Sequence, residues 1–396
     1  MKVKGVSVRI VVKFGGSSLA NVKKIKQVGD KILKLKQEYE EIVVVLSAMG
    51  KTTDKLLLTA LRICLEPDPA LLDKLLNLGE QKSIYLLALY LKSKGQNVVA
   101  FNGNEAGIKT YGFHNNAYIK SINTSEIEKA LAKRKIVIVA GFCGENDEGE
   151  ITTLGRGGSD TTAVALAGAL NCNCFIYTDV DGVFTVDPNV YHNPKMLNGL
   201  ALKDMAVLSA FGAGVIEARS VVLAQKNNIE IVLTNSASNK EGTKIANCCI
   251  EKSDVYGITI LKDYVKATVE ILTDNLNDFI LAIKERVTKL INFNLKRGQN
   301  TFEITFSCKN EEMQKLQKLT EKYVKNMKFC QNTSIISVVG VGFCTYSTLT
   351  INLLGVLNAE GIKVKFIDCG ERVISLFVAN EDANKTISIL AKYFNL

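Results

Sequence analysis

From residue 7 to about 234 the chain alternates short, β-rich apolar runs with longer stretches whose apolar residues recur at helical spacing. A strand, a helix and a second strand close compactly as a parallel pair with the helix on one face, so this alternation dictates α/β layers around a largely parallel sheet. Strands are predicted at Val8–Lys13, Ile42–Leu46, Val98–Phe101, Ile136–Ala140, Cys174–Thr178 and Glu230–Thr234. Asn21 is placed to cap a helix whose apolar face runs through Val22, Ile25, Val28 and Ile32. Ser125 with Glu128 has capping-box spacing ahead of Ile127 and Leu131. A segment rich in Asn, Ser, Lys and Gly, Asn235–Thr243, breaks the pattern and ends a first domain assigned to residues 1–245.

The remainder carries an internal repeat of roughly 70 residues. Val265–Leu272 predicts a strand, Asn277–Leu290 a helix, Asn292–Lys296 and Thr301–Ser307 a strand pair across Arg297-Gly298, and Asn310–Lys325 a second helix. Ser334–Val341, Ser347–Ala359, Lys363–Asp368, Arg372–Val378 and Glu381–Phe394 repeat that order, with Cys369-Gly370 as the turn. Two βαββα units follow, assigned to 255–328 and 329–396. Such units leave sheet edges that seek partners, so they are expected to pack on each other or on a second subunit.

With 396 residues, the chain has room for two or three domains. Its 49 Lys+Arg against 40 Asp+Glu leave a net charge of +9, which suits either a polyanion or small anionic substrates. The lysines are scattered over helix faces without interleaved aromatics, which argues against nucleic acid. Arg9 and Lys13 interrupt the N-terminal apolar run, which lacks a signal peptide's h-region, and stretches such as Ile84–Leu91 are too short to span a bilayer. A soluble, cytoplasmic chain with no membrane partner is expected. The ten cysteines form no C-x-x-C, and only His114 and His192 could assist a metal site. Cys143, Cys174 and Cys308 sit in strand-like surroundings, so the thiols are expected to be reduced core residues, with Cys172-x-Cys174 and Cys248-Cys249 the remaining metal or redox candidates.

Glycine marks where the chemistry belongs. Thr152-Thr153-Leu154-Gly155-Arg156-Gly157-Gly158-Ser159-Asp160-Thr161-Thr162 runs straight into the helical stretch Ala163–Leu170. A glycine turn feeding a helix N-terminus presents bare N–H groups and a positive dipole end to an anion; the alternative is a tight turn capped by Ser159 or Asp160. It is not a Walker A loop, because no Gly-Lys-Ser/Thr closes it. A second glycine turn, Lys13-Phe14-Gly15-Gly16-Ser17-Ser18, sets a cation beside bare backbone, as phosphoryl transfer requires. Thr178-Asp179-Val180-Asp181-Gly182-Val183-Phe184-Thr185-Val186-Asp187-Pro188 adds three carboxylates in nine residues, suited to a nucleotide site, to Mg²⁺ or simply to turns. Ser47-Ala48-Met49-Gly50, Thr52-Thr53 and Gly79-Glu80 lie between. Three of these segments follow predicted strands, whose carboxyl ends are where ligands bind in open α/β sheets.

Taken together, VVKFGGSSLA, VVVLSAMGKTTDKLL, LGE, TTLGRGGSDTTAVALA and IYTDVDGVFTVDP resemble the aspartate kinase family of the amino acid kinase superfamily, in that family's order and over the first 235 residues. The C-terminal pair resembles the family's tandem ACT domains. The resemblance implies ATP-dependent phosphorylation of the L-aspartate side-chain carboxylate to 4-phospho-L-aspartate, the first step toward lysine, threonine and methionine, with Mg²⁺ carried on ATP. It assigns Lys13 to the transferring phosphoryl group, Gly15 and Gly16 to backbone donation, and Asp160 to orienting Lys13. Ser47, Thr53, Glu80, Arg156 and Ser159 would hold aspartate, and Ser17, Thr178, Asp179, Phe184 and Asp187 would serve the nucleotide alongside Lys13, Gly15 and Gly16. It also implies a homodimer or larger homo-oligomer through the ACT units and an amino-acid effector, lysine or threonine.

Several positions depart from the family pattern. Asn189 stands where arginine usually follows Asp-Pro, and Gly214 where Phe-Gly-Ala is usually followed by lysine. Two phosphate-directed cations are thus missing, each worth ~1.5–3 kcal/mol; Lys195, Lys203 and Arg219 are the nearby substitutes. Gln81 replaces a common arginine and Phe184 a frequent tyrosine. Thr273–Asp278 and Gly342–Tyr346 stand where the family usually carries its Gly- or Pro-containing effector turn. A catalytically weakened sensor paralogue and a kinase for another acid, such as glutamate, are the competing readings.

Overall fold

A computed structural model describes residues 9–238, 240–247, 255–286, 290–343 and 347–396. In chain order the first part holds β1 (Arg9–Phe14), α1 (Val22–Glu38), β2 (Glu41–Leu46), α2 (Thr52–Ile63), α3 (Pro69–Ser93), β3 (Val98–Phe101), β4 (Ile108–Phe113), β5 (Asn116–Ile122), α4 (Ser125–Ala132), β6 (Ile136–Ala140), β7 (Cys143–Glu145), β8 (Ile151–Thr153), α5 (Gly158–Ala169), β9 (Asn173–Thr178), β10 (Val183–Phe184), β11 (Met196–Leu197), β12 (Gly199–Ala201), α6 (Leu202–Ala210), α7 (Ala218–Asn227), β13 (Ile231–Asn235) and β14 (Thr243–Ala246). Eight strands form one sheet in the order β12-β14-β13-β9-β1-β2-β6-β3. From β13 to β3 every pairing is parallel, and β14 is antiparallel to β13. All six expected strands are present within a residue or so of their predicted bounds.

The central strands are near-continuous Val/Ile runs because both faces of the sheet are covered. Ile10, Val12, Phe14, Ile42 and Val44 pack with Ile25, Val28 and Ile32 of α1 and Ile84, Leu87 and Leu91 of α3. α5 packs on β1, β2 and β9, and it is buried from Gly158 to Ala167. Beyond its polar first turn α5 is apolar on all sides, as a helix in such a position should be. Asn21 caps α1 as expected, its Oδ1 accepting from Lys24 N at 3.0 Å. The capping box at Ser125 does not form: Thr124 is the N-cap, Ser125 is already helical, and its N–H and hydroxyl both donate to Asn123 Oδ1. A small sheet, β5-β4-β7-β8, was not predicted, because its strands are short and polar-faced. Among the described residues no helix is long and apolar enough to cross a membrane.

The second compact unit takes the residues from Val255 onward together with two excursions of the preceding chain, Thr185–Lys195 and Phe211–Ala213. It contains β15 (Val255–Leu272), α8 (Leu276–Arg286), β16 (Ile291–Arg297), β17 (Thr301–Lys309), α9 (Asn310–Thr320), β18 (Val324–Gly340), α10 (Ser347–Ala359), β19 (Phe366–Cys369), β20 (Val373–Ala379) and α11 (Ala383–Tyr393). These strands make a single antiparallel sheet, β16-β17-β15-β18-β20-β19. β15 and β18 run far beyond their expected starts, and that extra length joins the repeats. Tyr264–Leu272 of β15 pairs with β17, whereas Val255–Leu261 extends along the half of β18 that pairs with β20. Each repeat lends the other a strand. Bulges between Leu261 and Lys266 mark the crossover. The excursion 185–195 is held there by Ile258 N donating to Thr185 O at 2.8 Å and by Val186 in the core with Ile258 and Ile336.

Cys143, Cys172, Cys174 and Cys308 are buried, as expected for core thiols, and burial pushes Cys143 and Cys308 up to about 12. Cys64 and Cys369 are exposed, on a helix end and a strand edge, and so depart from that expectation. Cys248-Cys249 lies outside the described residues, as do three of the residues in Gly342–Tyr346.

Phe377 sits where the two repeats meet, fully buried beside Tyr264, Ile291 and Ile335 and edge-on to Phe366 at 6.2 Å. Phe377→Ala is expected to destabilise this unit by about 3–5 kcal/mol. Equilibrium guanidinium unfolding checks it; a loss below about 1 kcal/mol would mean that the two cores do not depend on the shared strands.

Candidate active site

The site grows from the carboxyl end of β1. Its last residues carry Lys13, 9% exposed, and the chain then turns through Gly15 and Gly16 into a single helical turn at Gly16–Leu19. The first turn of α5 faces it. α5 starts at Gly158 with Gly157 as N-cap, in the left-handed conformation (φ 67°) that favours glycine. Ser159 and Asp160 are therefore helical residues rather than caps, and their side chains are free for other work. Lys13 Nζ meets Asp160 Oδ1 at 2.5 Å, with both side chains 11% exposed, as an ion pair in length rather than an aligned hydrogen bond. A Cβ on Gly15 would lie 3.5 Å from the Lys13 nitrogen, so the ammonium sits against bare backbone.

The second glycine is bare for a steric reason. A Cβ on Gly16 would approach Ala48 O to 2.8 Å and Gly50 O to 3.0 Å, and Gly50 N donates to Gly16 O at 2.9 Å. The β1 turn and the Ser47–Gly50 turn after β2 thus interlock, and Ser47 N donates to Phe14 O at 3.2 Å. α3 closes the other side. A Cβ on Gly79 would stand 2.9 Å from the Ala48 side chain and 3.8 Å from Thr53 Oγ1. Glu80, 3% exposed, accepts from Ala48 N at 3.1 Å through Oε1, while Oε2 has no hydrogen-bond partner among the described residues. Burial pushes the Glu80 carboxyl up to about 8, against the opposing pull of the Ala48 N–H. One turn earlier, Asn77 Oδ1 is also buried without a partner among the described residues. Two unpartnered buried oxygens on one helix face can accept from an ammonium group once Glu80 is ionised.

Ser159 belongs to the same cluster: a Cβ on Gly141, at the end of β6, would fall 2.8 Å from Ser159 Oγ. On the opposite flank, β9 brings Tyr177, stacked on Phe14 at 4.7 Å, and its carbonyl takes the Gly15 N–H in a long 3.4 Å bond. Thr178 Oγ1 accepts from Val180 N at 3.0 Å and so shapes the turn through Asp179–Gly182, which Asn235 Nδ2 ties to Asp181 at 2.8 Å. The contacts therefore link Lys13, Gly15, Gly16, Ser47, Thr53, Glu80, Ser159, Asp160 and Thr178.

The other assigned positions lie outside these contacts. Arg156, Ser17 and Asp179 are exposed. Ser17 offers its carbonyl to Lys24 Nζ, a bond made within the α1 entrance. Phe184 is half-buried in the β10–β11 pair. Asp187 falls in the 185–195 excursion of the second unit, where its Oδ1 accepts from Asn189 N and Nδ2, so Asn189 serves that turn. Gly214 has φ 66°, a backbone in which a lysine would be strained. Of the substitute cations, Lys195 donates to Asn395 O, and Arg219 donates to Leu154 O at 3.1 Å and Ala117 O at 2.7 Å while lying over Tyr118. Both are engaged in holding the fold. Lys203 is exposed on the first turn of α6. Among the described residues no group of three or more His, Cys, Asp or Glu could hold a metal ion.

Sequence reasoning missed Asn77, the Ala48 N–H and a buried carboxylate, Asp73, two turns before Glu80 on α3. The signal for the last was present: Asp73, Asn77 and Glu80 share the apolar face of one helix.

Residues 8–235 match the amino acid kinase family. The chain is 36% identical over 398 residues to Aspartokinase 2 of Bacillus subtilis, covering 98% of each, and 33% identical over 404 residues to the aspartokinase of Mycobacterium tuberculosis, covering 98% of this chain and 96% of that one. Its fold is similar to that of Escherichia coli aspartokinase III solved with aspartate and ADP, with a TM-score of 0.80 at 20% identity over 98% of this chain and 100% of that one. The chain belongs to the amino acid kinase family, among its aspartokinases.

Proposed function

We infer that this chain is an aspartate kinase, transferring the γ-phosphoryl group of ATP to the side-chain carboxylate of L-aspartate. The observation that carries the reading is the buried Lys13–Asp160 pair set against the glycine turn after β1, with Glu80 across the Ser47–Gly50 turn. A carboxylate oxygen of aspartate attacks the γ-phosphorus, the bond to the β–γ bridging oxygen breaks, and ADP leaves. The nucleophile is already ionised, so no general base is needed. Positioning and charge neutralisation carry the reaction.

Lys13 neutralises charge on the transferring group, and Asp160 fixes its ammonium. Gly15 and Gly16 let phosphate oxygens approach the backbone. Glu80 takes the substrate ammonium, Arg156 folds inward onto a carboxylate, and Ser47, Thr53 and Ser159 complete the aspartate seat. Ser17, Thr178, Asp179 and Phe184 serve the nucleotide. Mg²⁺ enters as part of its ATP complex, consistent with acidic side chains of the Asp179–Asp187 stretch being spent on turns. The edge strands β16 and β19 favour a homodimer or larger homo-oligomer through the second unit, while an amino-acid effector, lysine or threonine, follows from the family resemblance alone. An enzyme consuming ATP and aspartate works in the cytoplasm.

Lys13→Met is expected to lower kcat by about 10²–10³-fold, the usual cost of losing one preorganised stabiliser of transition-state charge, with a smaller change in KM for aspartate. A coupled ADP assay checks it, and an unchanged kcat would sink the assignment. Glu80 gives a pH prediction with a definite sign. Its folded pKa lies above the ordinary value, so below about 8 the free enzyme holds it neutral, and it gains the charge that binds an ammonium as pH rises. kcat/KM for aspartate should therefore climb toward a plateau above about pH 8, while ligand-free stability declines across the same interval. Glu80→Gln should flatten the rise; a wild-type profile already level from pH 6 would contradict it.

A further inference from the structure

Asp73 is fully buried in α3, and its carboxylate is crowded with donors from a different part of the chain. Oδ2 accepts from Thr153 N at 3.0 Å, from Asn115 N at 3.0 Å and from His114 Nδ1 at 2.9 Å; Oδ1 takes the Thr153 hydroxyl at 2.5 Å. His114 and Asn115 form the two-residue turn between β4 and β5, with Asn115 at φ 61°. Thr153 ends β8, three residues before Arg156. His114 Nε2 lies 3.2 Å from Glu150 Oε2, so the imidazole bridges one carboxylate on α3 and one on the β7–β8 turn. Burial lowers its pKa, and the bonds to Asp73 and Glu150 outweigh that and raise it, favouring the doubly protonated ring.

The position of this network matters more than its strength. Asp73 precedes Glu80 by seven residues, so the two share a helix face about 10 Å apart along the axis. The strand it grips leads directly to Gly155, whose Cβ would meet Asn115 O at 3.0 Å, and on to Arg156, Ser159 and Asp160. We propose that Asp73 and His114 are positioning residues: a clamp from α3 to the Gly155–Asp160 turn that sets the span between Glu80 and Arg156, and hence the fit of an amino acid held by its ammonium at one and a carboxylate at the other. This rests on the reading of those two side chains given above.

Three variants test it: His114→Gln, which removes one bridge, Thr153→Val, which removes the hydroxyl donor, and Thr153→Ser, which keeps it. His114→Gln and Thr153→Val should lose about 10- to 100-fold in kcat/KM for aspartate, mostly through KM, with KM for ATP moving less than about twofold; Thr153→Ser should behave like the wild type. Amide hydrogen exchange read on the same proteins, which needs no activity, should quicken at 114–116 and 153–160 alone. Unchanged exchange there, or exchange and both KM values worsening together across the sheet, would overturn the clamp. Wild-type protein without aspartate-dependent ADP formation would instead defeat the kinase reading, and the exchange data would still decide whether the clamp exists.

Discussion

The structure turns on one buried ion pair. Lys13 and Asp160 come from opposite layers, the carboxyl end of the central strand β1 and the first turn of the buried helix α5, and they meet at 2.5 Å. An ammonium and a carboxylate so withdrawn from water are costly to maintain, and a pair that lost one partner would leave an uncompensated charge. The fold accepts that cost beside two glycine turns, where the Lys13 ammonium sits against bare backbone. The same withdrawal strengthens any field the pair exerts on an incoming phosphate. Glu80 is the counterpart on the other flank, a carboxyl that burial pushes up to about 8.

Much of this was legible in the residues because it is local. Strands of continuous Val and Ile, an Asn cap and glycines clustered before a helix each follow from short-range physics, and Lys13, Gly16 and Asp160 lie within those segments, whereas Glu80, in the middle of α3, took its role only from the family resemblance. What was not legible depends on distant partners. The long strands β15 and β18 read as separate short elements, since nothing near Val255 announces that its neighbour will be Gly340. The capping box at Ser125 failed because Asn123, two residues outside the pattern, took both donors. Asp73 is an ordinary helix residue until β8 and the β4–β5 turn fold onto it.

Two departures from the expected family pattern have a local structural account. Asn189 shapes its own turn against Asp187, and Gly214 occupies a backbone state hostile to lysine, so both positions are fitted to their local structure. Lys195 and Arg219, the nearest substitutes in sequence, hold backbone carbonyls and thereby stitch segments of their own units together. The C-terminal unit adds a second kind of interdependence. Each βαββα repeat lends a strand to its twin, and the two halves meet at the bulged crossover at Leu261–Lys266.

The central claim is that Lys13, held by Asp160, is where the phosphoryl group moves, with aspartate anchored at Glu80. A crystal structure with aspartate and a magnesium complex of a non-hydrolysable ATP analogue tests this most directly. The account predicts Lys13 Nζ within hydrogen-bond reach of the γ-phosphate, the aspartate side-chain carboxylate in line with it, and the α-ammonium on Glu80. A γ-phosphate out of reach of Lys13, or an aspartate ammonium paired with some other carboxylate, would contradict it.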